Sequence, residues 1–370
     1  MKLIATIFLL CLSFQLEAQP TWHKALVSVP VADLKSTPQP TDVSKQPPLW
    51  YRDAPNQETQ CVFNEKMLVK ESADPNWYEA RPLEQFEFNE NTWKPCAGCM
   101  IEKNKVTLVE NFPKYNLVTQ SLWTPVFSSP DQQAQILNLS LGSMLEGTRI
   151  NNNFWQINLP NNRIGFVSVN DIYEFSKHDL DREFILRNHV VSVAKKLVNS
   201  FYIWGGRSAA FFDQTGRHVK LDNQITGVDC SGLVNLAFRA AGLNVPRNSK
   251  DQKNAATMIE SGKDLLPGDL IFFHDLNKGR VTHVIIYIGE DLIIESTGSS
   301  TWDGVLIQKL SDRFRVDKEA IVNGQDYEIK CYKQGTEKTD RFEFIPYKIF
   351  LGTFFRPIEQ LNARRKLALA

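Results

Sequence analysis

One cysteine in this chain has the local sequence of a nucleophile. Cys230 lies in Gly227-Val228-Asp229-Cys230-Ser231-Gly232-Leu233-Val234, after a turn and ahead of an apolar run. Leu233, Leu236, Ala237, Ala240 and Ala241 follow at helical spacing and Gly242 marks a stop, so Cys230 is predicted in the first turn of a helix. Unpaired backbone N–H groups and the helix dipole favour an anion there, which is the help needed by a thiol that ordinarily titrates near ~8.5. Taken alone, the pattern fits a cysteine filling a core helix equally well. Thiol chemistry at neutral pH also wants a base beside the sulfur and a third group to hold that base. Downstream, Leu266-Pro267-Gly268-Asp269-Leu270-Ile271-Phe272-Phe273 reads as a turn feeding an apolar strand. Val281-Thr282-His283-Val284-Ile285-Ile286-Tyr287-Ile288-Gly289 reads as a second strand with a histidine near its start.

Upstream of the cysteine stands Tyr202-Ile203-Trp204-Gly205-Gly206, and Pro246-Arg247-Asn248-Ser249 follows its helix. In order, these segments resemble the marks of the NlpC-type cell-wall cysteine peptidases: Tyr-x-Trp-Gly-Gly, Asp-Cys-Ser-Gly, Pro-Arg-x-Ser, Pro-Gly-Asp-Leu and a His-Val strand. The resemblance implies a papain-like fold in which Cys230 is the nucleophile and His283 the base. His274, just after Phe272-Phe273, is the local competitor for that role. His23, His178, His189 and His218 lie outside the motifs. The family usually places His, Asn or Gln on the strand after the histidine; the matching residue here is Glu295. A carboxylate can accept the ring N–H and stabilise an imidazolium. The alternative is a surface Glu295, with the orienting role elsewhere. In the branch that trims wall peptides with a free N-terminus, the residues matching Tyr202, Asp229 and Ser231 bind the substrate's α-amine. Their ordinary readings are a packed aromatic for Tyr202 and a helix N-cap for Asp229. The oxyanion would be met by the Cys230 backbone N–H, and Arg247 is read as structural.

The resemblance therefore implies cleavage of the γ-D-Glu–diamino acid bond of peptidoglycan peptides, with diaminopimelate or lysine after the bond. Murein tripeptides or tetrapeptides would be the partners, the protein a monomer, and neither metal nor cofactor required. Two other readings stay open: a wall-fragment-binding protein whose peptidase domain is inactive, and an amidase or acyltransferase using the same Cys-His dyad.

Composition bounds the setting. The chain has 370 residues, and Lys+Arg 42 balances Asp+Glu 42, so charge points to neither nucleic acid nor an acidic membrane surface. Residues 1–18 read as a secretory signal, with Lys2 as the charged start, an apolar run over residues 4–14, and a cut ahead of Gln19. That run is too short to span a bilayer. Cys11, inside it, has no small residue just before it and is not read as a lipid anchor. The expected site of action is the periplasm or the exterior. Cys61, Cys96, Cys99, Cys230 and Cys331 remain, an odd set that suggests a disulfide among the first three plus a spare thiol. Cys96-Ala97-Gly98-Cys99 has the spacing of a redox or zinc pair, without a second such pair or a βαβ context. Cys331 is read as a bystander in a charged, loop-like stretch.

These residues must be held by an α+β peptidase domain over residues 179–370. It is expected to open with a helix from His189 to Ser200. Residues 207–226 would form a loop over the cleft, and residues 311–340 a charged connection. Ahead of it, short alternating segments with no convincing helix predict two small all-β units, residues 19–110 and 111–178. Both resemble bacterial SH3-like barrels, the first with an insertion around residues 46–56. Trp123-Thr124-Pro125-Val126-Phe127 opens the second, and a hairpin crosses Pro160-Asn161-Asn162-Arg163. The barrels are expected to pack against the peptidase and shape its cleft.

Overall fold

The computed structural model describes residues 21–40, 56–89, 92–95, 98–131, 134–175, 183–212, 215, 221, 225–298, 304–332 and 342–356. The expected leader, residues 41–55 and Cys96 lie outside that range. So does most of the expected cleft loop after Phe212.

The C-terminal half is built on one antiparallel sheet. Its order runs Thr257–Met258, Phe342–Thr353, Leu270–Asp275, Arg280–Gly289, Leu292–Thr297, Gly304–Lys309, and Asp326–Tyr332 pairs with the long Phe342–Thr353 strand. Four helices accompany it: α1 (Glu183–Lys196), α2 (Cys230–Ala240), α3 (Ser249–Ala255) and α4 (Leu310–Phe314). Helices α1 and α2 join Leu270, Phe272, Val284, Ile286 and Ile294 in the core on one face of the sheet. On the other face, Ile271, Phe273, Ile285 and Ile293 pack with Leu310 and Phe314 of α4. Alternate residues of each strand thus face opposite cores, as a sheet covered on both sides requires.

Helix α2 is buried along its entire length. The Asp229 side chain caps it by accepting from Gly232 N at 2.6 Å. At its other end Gly242 has φ +75°, with Gly242 N bonding Arg239 O and Leu243 N bonding Phe238 O, the two closing bonds of a Schellman stop. A Cβ at Gly232 would stand 2.1 Å from the Gly206 carbonyl oxygen, so glycine lets the Trp-Gly-Gly segment lie directly on the helix start.

Helix α1 begins six residues earlier than predicted. Its buried Arg187 breaks the apolar pattern but is matched by Asp269 at 2.7 Å and Glu183 at 2.7 Å. The predicted charged connection is also partly ordered. Residues 310–314 form α4 and 326–332 a strand, and Cys331 is buried rather than looped out.

The N-terminal half is all β among the described residues. A seven-stranded sheet runs Gln57–Val62, Val31–Lys35, Cys99–Glu102, Trp77–Pro82, Lys66–Glu71, His23–Val27, Val106–Leu108. A five-stranded and a three-stranded sheet follow, the former carrying the Phe154–Leu159/Arg163–Ser168 hairpin. Asn161 and Asn162 there take φ of 63° and 56°, as a tight hairpin turn needs. Among the described residues the strand pairing closes no barrel. The first sheet keeps Gln57–Val62 as an edge, and the peptidase half covers it: Gln60 Nε2 donates to Ile225 O at 2.6 Å and Gln60 Oε1 accepts from Arg207 N at 3.1 Å. Buried ion pairs tie the halves together, Arg207 Nη1 to Glu65 at 2.8 Å and Arg239 Nη2 to Glu84 at 2.9 Å. Arg207, the first residue of the expected cleft loop, is therefore core.

The expected disulfide is not formed. Every pairing among Cys61, Cys96 and Cys99 uses Cys61 or Cys99, and both are free and buried. Burial pushes the Cys99 thiol up to about 12 and Cys61 well above its ordinary value, which keeps both protonated.

Candidate active site

Cys230 opens α2 on the floor of a cleft of about 560 Å³. The peptidase half contributes Tyr202, Trp204, Asp229, Ser231, Lys250, Arg280 and Thr282 to its lining, and the N-terminal half contributes Glu58 and Glu87. Two sheet residues reach the cysteine and its lead-in segment. Ser296 Oγ donates to Val228 O at 2.7 Å, which fixes the lead-in of α2 against the Leu292–Thr297 strand. His283, on the neighbouring strand, interacts with both Cys230 and Glu295.

The His283–Glu295 side of that triple is fixed by a short contact. His283 Nε2 lies 2.6 Å from Glu295 Oε2, so the ring nitrogen left for the sulfur is Nδ1. The ring is held edge-on by Phe273, centroids 5.3 Å apart. Burial would lower the pKa of His283, but its hydrogen bonds to Cys230 and Glu295, with their charges, outweigh that and raise it to about 9. Glu295 is fully buried, which would raise its pKa. Arg313, the His283 bond and the Gln308 amide pull it down to about 2 instead. An imidazole charged at neutral pH thus stands beside a sulfur at a helix start, the setting a thiolate nucleophile requires.

Residues 199–318 match the NlpC/P60 family. The chain carries an NlpC/P60 cysteine peptidase domain. It is 25% identical over 281 residues to a γ-D-glutamyl-L-lysine dipeptidyl-peptidase of Bacillus cereus, covering 71% of this chain and 76% of the relative. It is 36% identical over 111 residues to the bifunctional muramidase/DL-endopeptidase CwlT of Bacillus subtilis, 30% of this chain and 29% of that protein. The fold is similar to the crystal structure of an NlpC/P60 family protein from Bacillus cereus, with a TM-score of 0.59, 21% identity, and coverage of 78% of this chain and 94% of that one.

Around the NlpC/P60 cysteine, the structure gives Asp229 more partners than an N-cap needs. Its carboxylate accepts from Gly232 N, Gly205 N at 3.0 Å and Ser231 Oγ at 3.1 Å, and it is gripped by Arg247, Nη1 at 3.0 Å and Nη2 at 2.8 Å. Arg247 Nη1 also donates to Ser231 Oγ at 3.0 Å, and its Nε to Thr59 of the N-terminal half at 2.7 Å. The arginine read as structural is thus a clamp joining the cleft's first wall to its floor. Tyr202 lines the cleft, and a Cβ at Gly298 would stand 2.7 Å from its ring.

Other histidines serve elsewhere. His274 faces Phe350, and His189 Nε2 meets Ala240 O at 3.2 Å while its ring stacks on Tyr173. The residues the motifs did not reveal are Gln308 and Arg313, both bonded to Glu295, and the two cleft carboxylates Glu58 and Glu87. One signal was present for the first pair: a glutamate at an orienting position ordinarily neutral needs a buried cation nearby. Among the described residues no group of three or more His, Cys, Asp or Glu could hold a metal ion.

Proposed function

We infer that this protein is an exported cysteine endopeptidase that hydrolyses the γ-D-Glu–diamino acid bond of peptidoglycan peptides bearing a free N-terminal L-Ala. The observation that supports it best is the His283–Glu295 contact of 2.6 Å beneath Cys230, in a cleft walled partly by the N-terminal half. Residues 1–18 would be the removed leader, residues 19–110 and 111–178 two SH3-like units, and residues 179–370 the catalytic unit.

In the first step the Cys230 thiolate adds to the γ-carbonyl, forming the C–S bond and an oxyanion that the Cys230 backbone N–H at the start of α2 would meet. His283, protonated, gives its proton to the leaving amine as the C–N bond breaks. Water, its proton taken by the now neutral imidazole, then attacks the thioester and returns the thiol. Glu295 holds the ring through Nε2 throughout.

The substrate's ammonium would be met by Tyr202, Asp229 and Ser231. The Asp229 charge is matched by Arg247, so further negative charge for a cation would come from Glu58 and Glu87 in the same cleft.

The test uses the purified protein, a Cys230→Ala variant and L-Ala-γ-D-Glu-diaminopimelate. The protein should release diaminopimelate and the variant should not; no release by either overturns the peptidase reading. Acetylating the peptide's N-terminus should slow cleavage at least about tenfold, since the lost ion pair is a charge-assisted one. Equal rates on blocked and free peptide would remove the amine-binding roles.

A further inference from the structure

A buried carboxylate beside a catalytic imidazole poses a charge problem. In the active form of a Cys-His pair the thiolate and imidazolium cancel, so a neutral orienting side chain leaves the site neutral. Glu295 adds one negative charge at a position with no exposed surface. Arg313 returns the balance. Its Nη2 donates to Glu295 Oε2 at 3.4 Å, and its Nε stands 3.2 Å from Oε1, aimed off the lone pair and therefore an ion pair rather than a hydrogen bond. Gln308, diagonal to Glu295 across the next strand, donates to the same Oε1.

Among the described residues, the other side chains against this pair carry no competing charge, and the carboxylates Asp275 and Glu343 stand behind them, acting on Tyr347 and Cys331. Cys331, from the Asp326–Tyr332 strand, lies 3.7 Å from Arg313 Nη1, and burial raises its thiol pKa. Tyr347, from the long closing strand, is raised to about 12 mainly by burial. Phe273 places its ring 5.8 Å from the guanidinium and 5.3 Å from the His283 ring. Arg313 is itself buried and sits on α4, a five-residue helix none of whose residues lines the cleft.

We propose that Arg313 is a positioning residue for the reaction. Glu295 and Arg313 act as one neutral unit, replacing a single uncharged orienting side chain, and each is harmful without the other. The proposal rests on the peptidase reading for its kinetic readout alone, because the charge coupling can be followed on the His283 ring itself.

The test compares the full-length protein with Arg313→Met, Arg313→Lys, Glu295→Gln and the double variant Glu295→Gln/Arg313→Met. Each is assayed for kcat, KM and pH profile on the diaminopimelate tripeptide, and for His283 titration by NMR. Arg313→Met should lower kcat by about 10- to 100-fold with KM within about twofold, as expected when an oriented base is loosened rather than removed. Arg313→Lys should recover most of that loss, and it keeps the proposal falsifiable if the methionine variant does not fold. Glu295→Gln alone strands a buried guanidinium beside the ring and should move the His283 titration from about 9 downward by more than one pH unit.

The deciding outcome is the double variant. Adding Arg313→Met to Glu295→Gln should raise kcat, reversing the sign that the same change has in the parent, and should raise again the His283 pKa that Glu295→Gln lowers. Additive losses, or a His283 titration unmoved by Arg313→Met in the Glu295→Gln background, overturn the proposal. A parent that cleaves no peptide, in a series where the His283 pKa falls with Glu295→Gln and recovers in the double variant, defeats the peptidase reading and leaves the coupling standing.

Discussion

Two buried Arg–Glu networks in this molecule use the same chemistry to different ends. The first joins the halves: Arg207 to Glu65 at 2.8 Å and Arg239 to Glu84 at 2.9 Å, spanning 142 and 155 residues of sequence. Its hydrogen bonds reach the Gln60 and Gly142 carbonyls, the Gln85 amide and Asn235, and its titratable neighbours Cys61, Lys66 and Tyr115 lie away from the cleft lining. The second runs Arg313–Glu295–His283 and ends on a ring that meets the cleft cysteine. A buried ion pair is often no more stabilising than an apolar pair of equal volume, whereas removing one partner strands a charge. The first network therefore fixes how the N-terminal wall meets the catalytic floor. The second passes its charge to a group that moves protons.

The largest expected effect separates them by readout. His283→Ala should cut kcat by about 1000-fold or more, and above about pH 9, where the charge of the ring no longer contributes to stability, it should leave the melting temperature nearly unchanged. Arg207→Met should do the reverse. It leaves Glu65 buried without its partner and should cost about 3–5 kcal/mol of stability, read as a shifted urea midpoint, with kcat retained in whatever fraction stays folded. If Arg207→Met instead leaves the midpoint unmoved and lowers kcat, the two networks are not divided as argued.

How much of this was legible in the chain follows from how far each partner lies in sequence. The Cys230 helix and the His283 strand are each fixed by neighbours within about ten residues, so local patterning carries them, whereas Glu295 was singled out by the family resemblance. The paired strands of the second unit were legible for the same reason, down to the Asn161-Asn162 turn. Arg313 and Cys331 fell in a stretch whose charges read as solvated, although both are buried. Glu65, Glu84, Arg207 and Arg239 look like surface charges in a balanced composition, and only the docking of two distant segments makes them core. Arg247 was visible as a motif residue, but its grip on Asp229, Ser231 and Thr59 depends on that same docking.

A pH series sharpens the contrast with a smaller effect. Glu295 falls from an ordinary 4.5 to about 2 in the fold, so its contribution is present above 4.5 and lost as pH drops through about 2. His283 rises from 6.5 to about 9, so its contribution is complete below 6.5 and lost as pH climbs through about 9. The second network should therefore stabilise most between about 4.5 and 6.5 and weaken on both sides. In the first, the cation paired with Glu65 is Arg207, which does not titrate in the accessible range, so that pair has no alkaline limb; burial lowers the pKa of Lys66, which stands near Glu84. Urea midpoints from pH 3 to 10 for the parent, Glu295→Gln and Arg207→Met check this. The Glu295→Gln deficit should shrink above pH 9 and the Arg207→Met deficit should not.

The smallest expected effect tests whether burial, rather than ion pairing as such, makes either network matter. Lys103 and Glu71 form a close surface pair in the N-terminal sheet, the glutamate side chain 69% exposed. Water solvates both ends when the pair is broken, and holding two long side chains in one geometry offsets most of the attraction. Lys103→Ala should accordingly change stability by less than about 0.5 kcal/mol, and raising the salt should erase even that. The Arg207→Met deficit, screened by protein on every side, should persist in the same salt. A Lys103→Ala loss comparable to that of Arg207→Met would mean that contact distance, not exclusion of water, sets the strength of these pairs, and the distinction between the networks and the surface would fall with it.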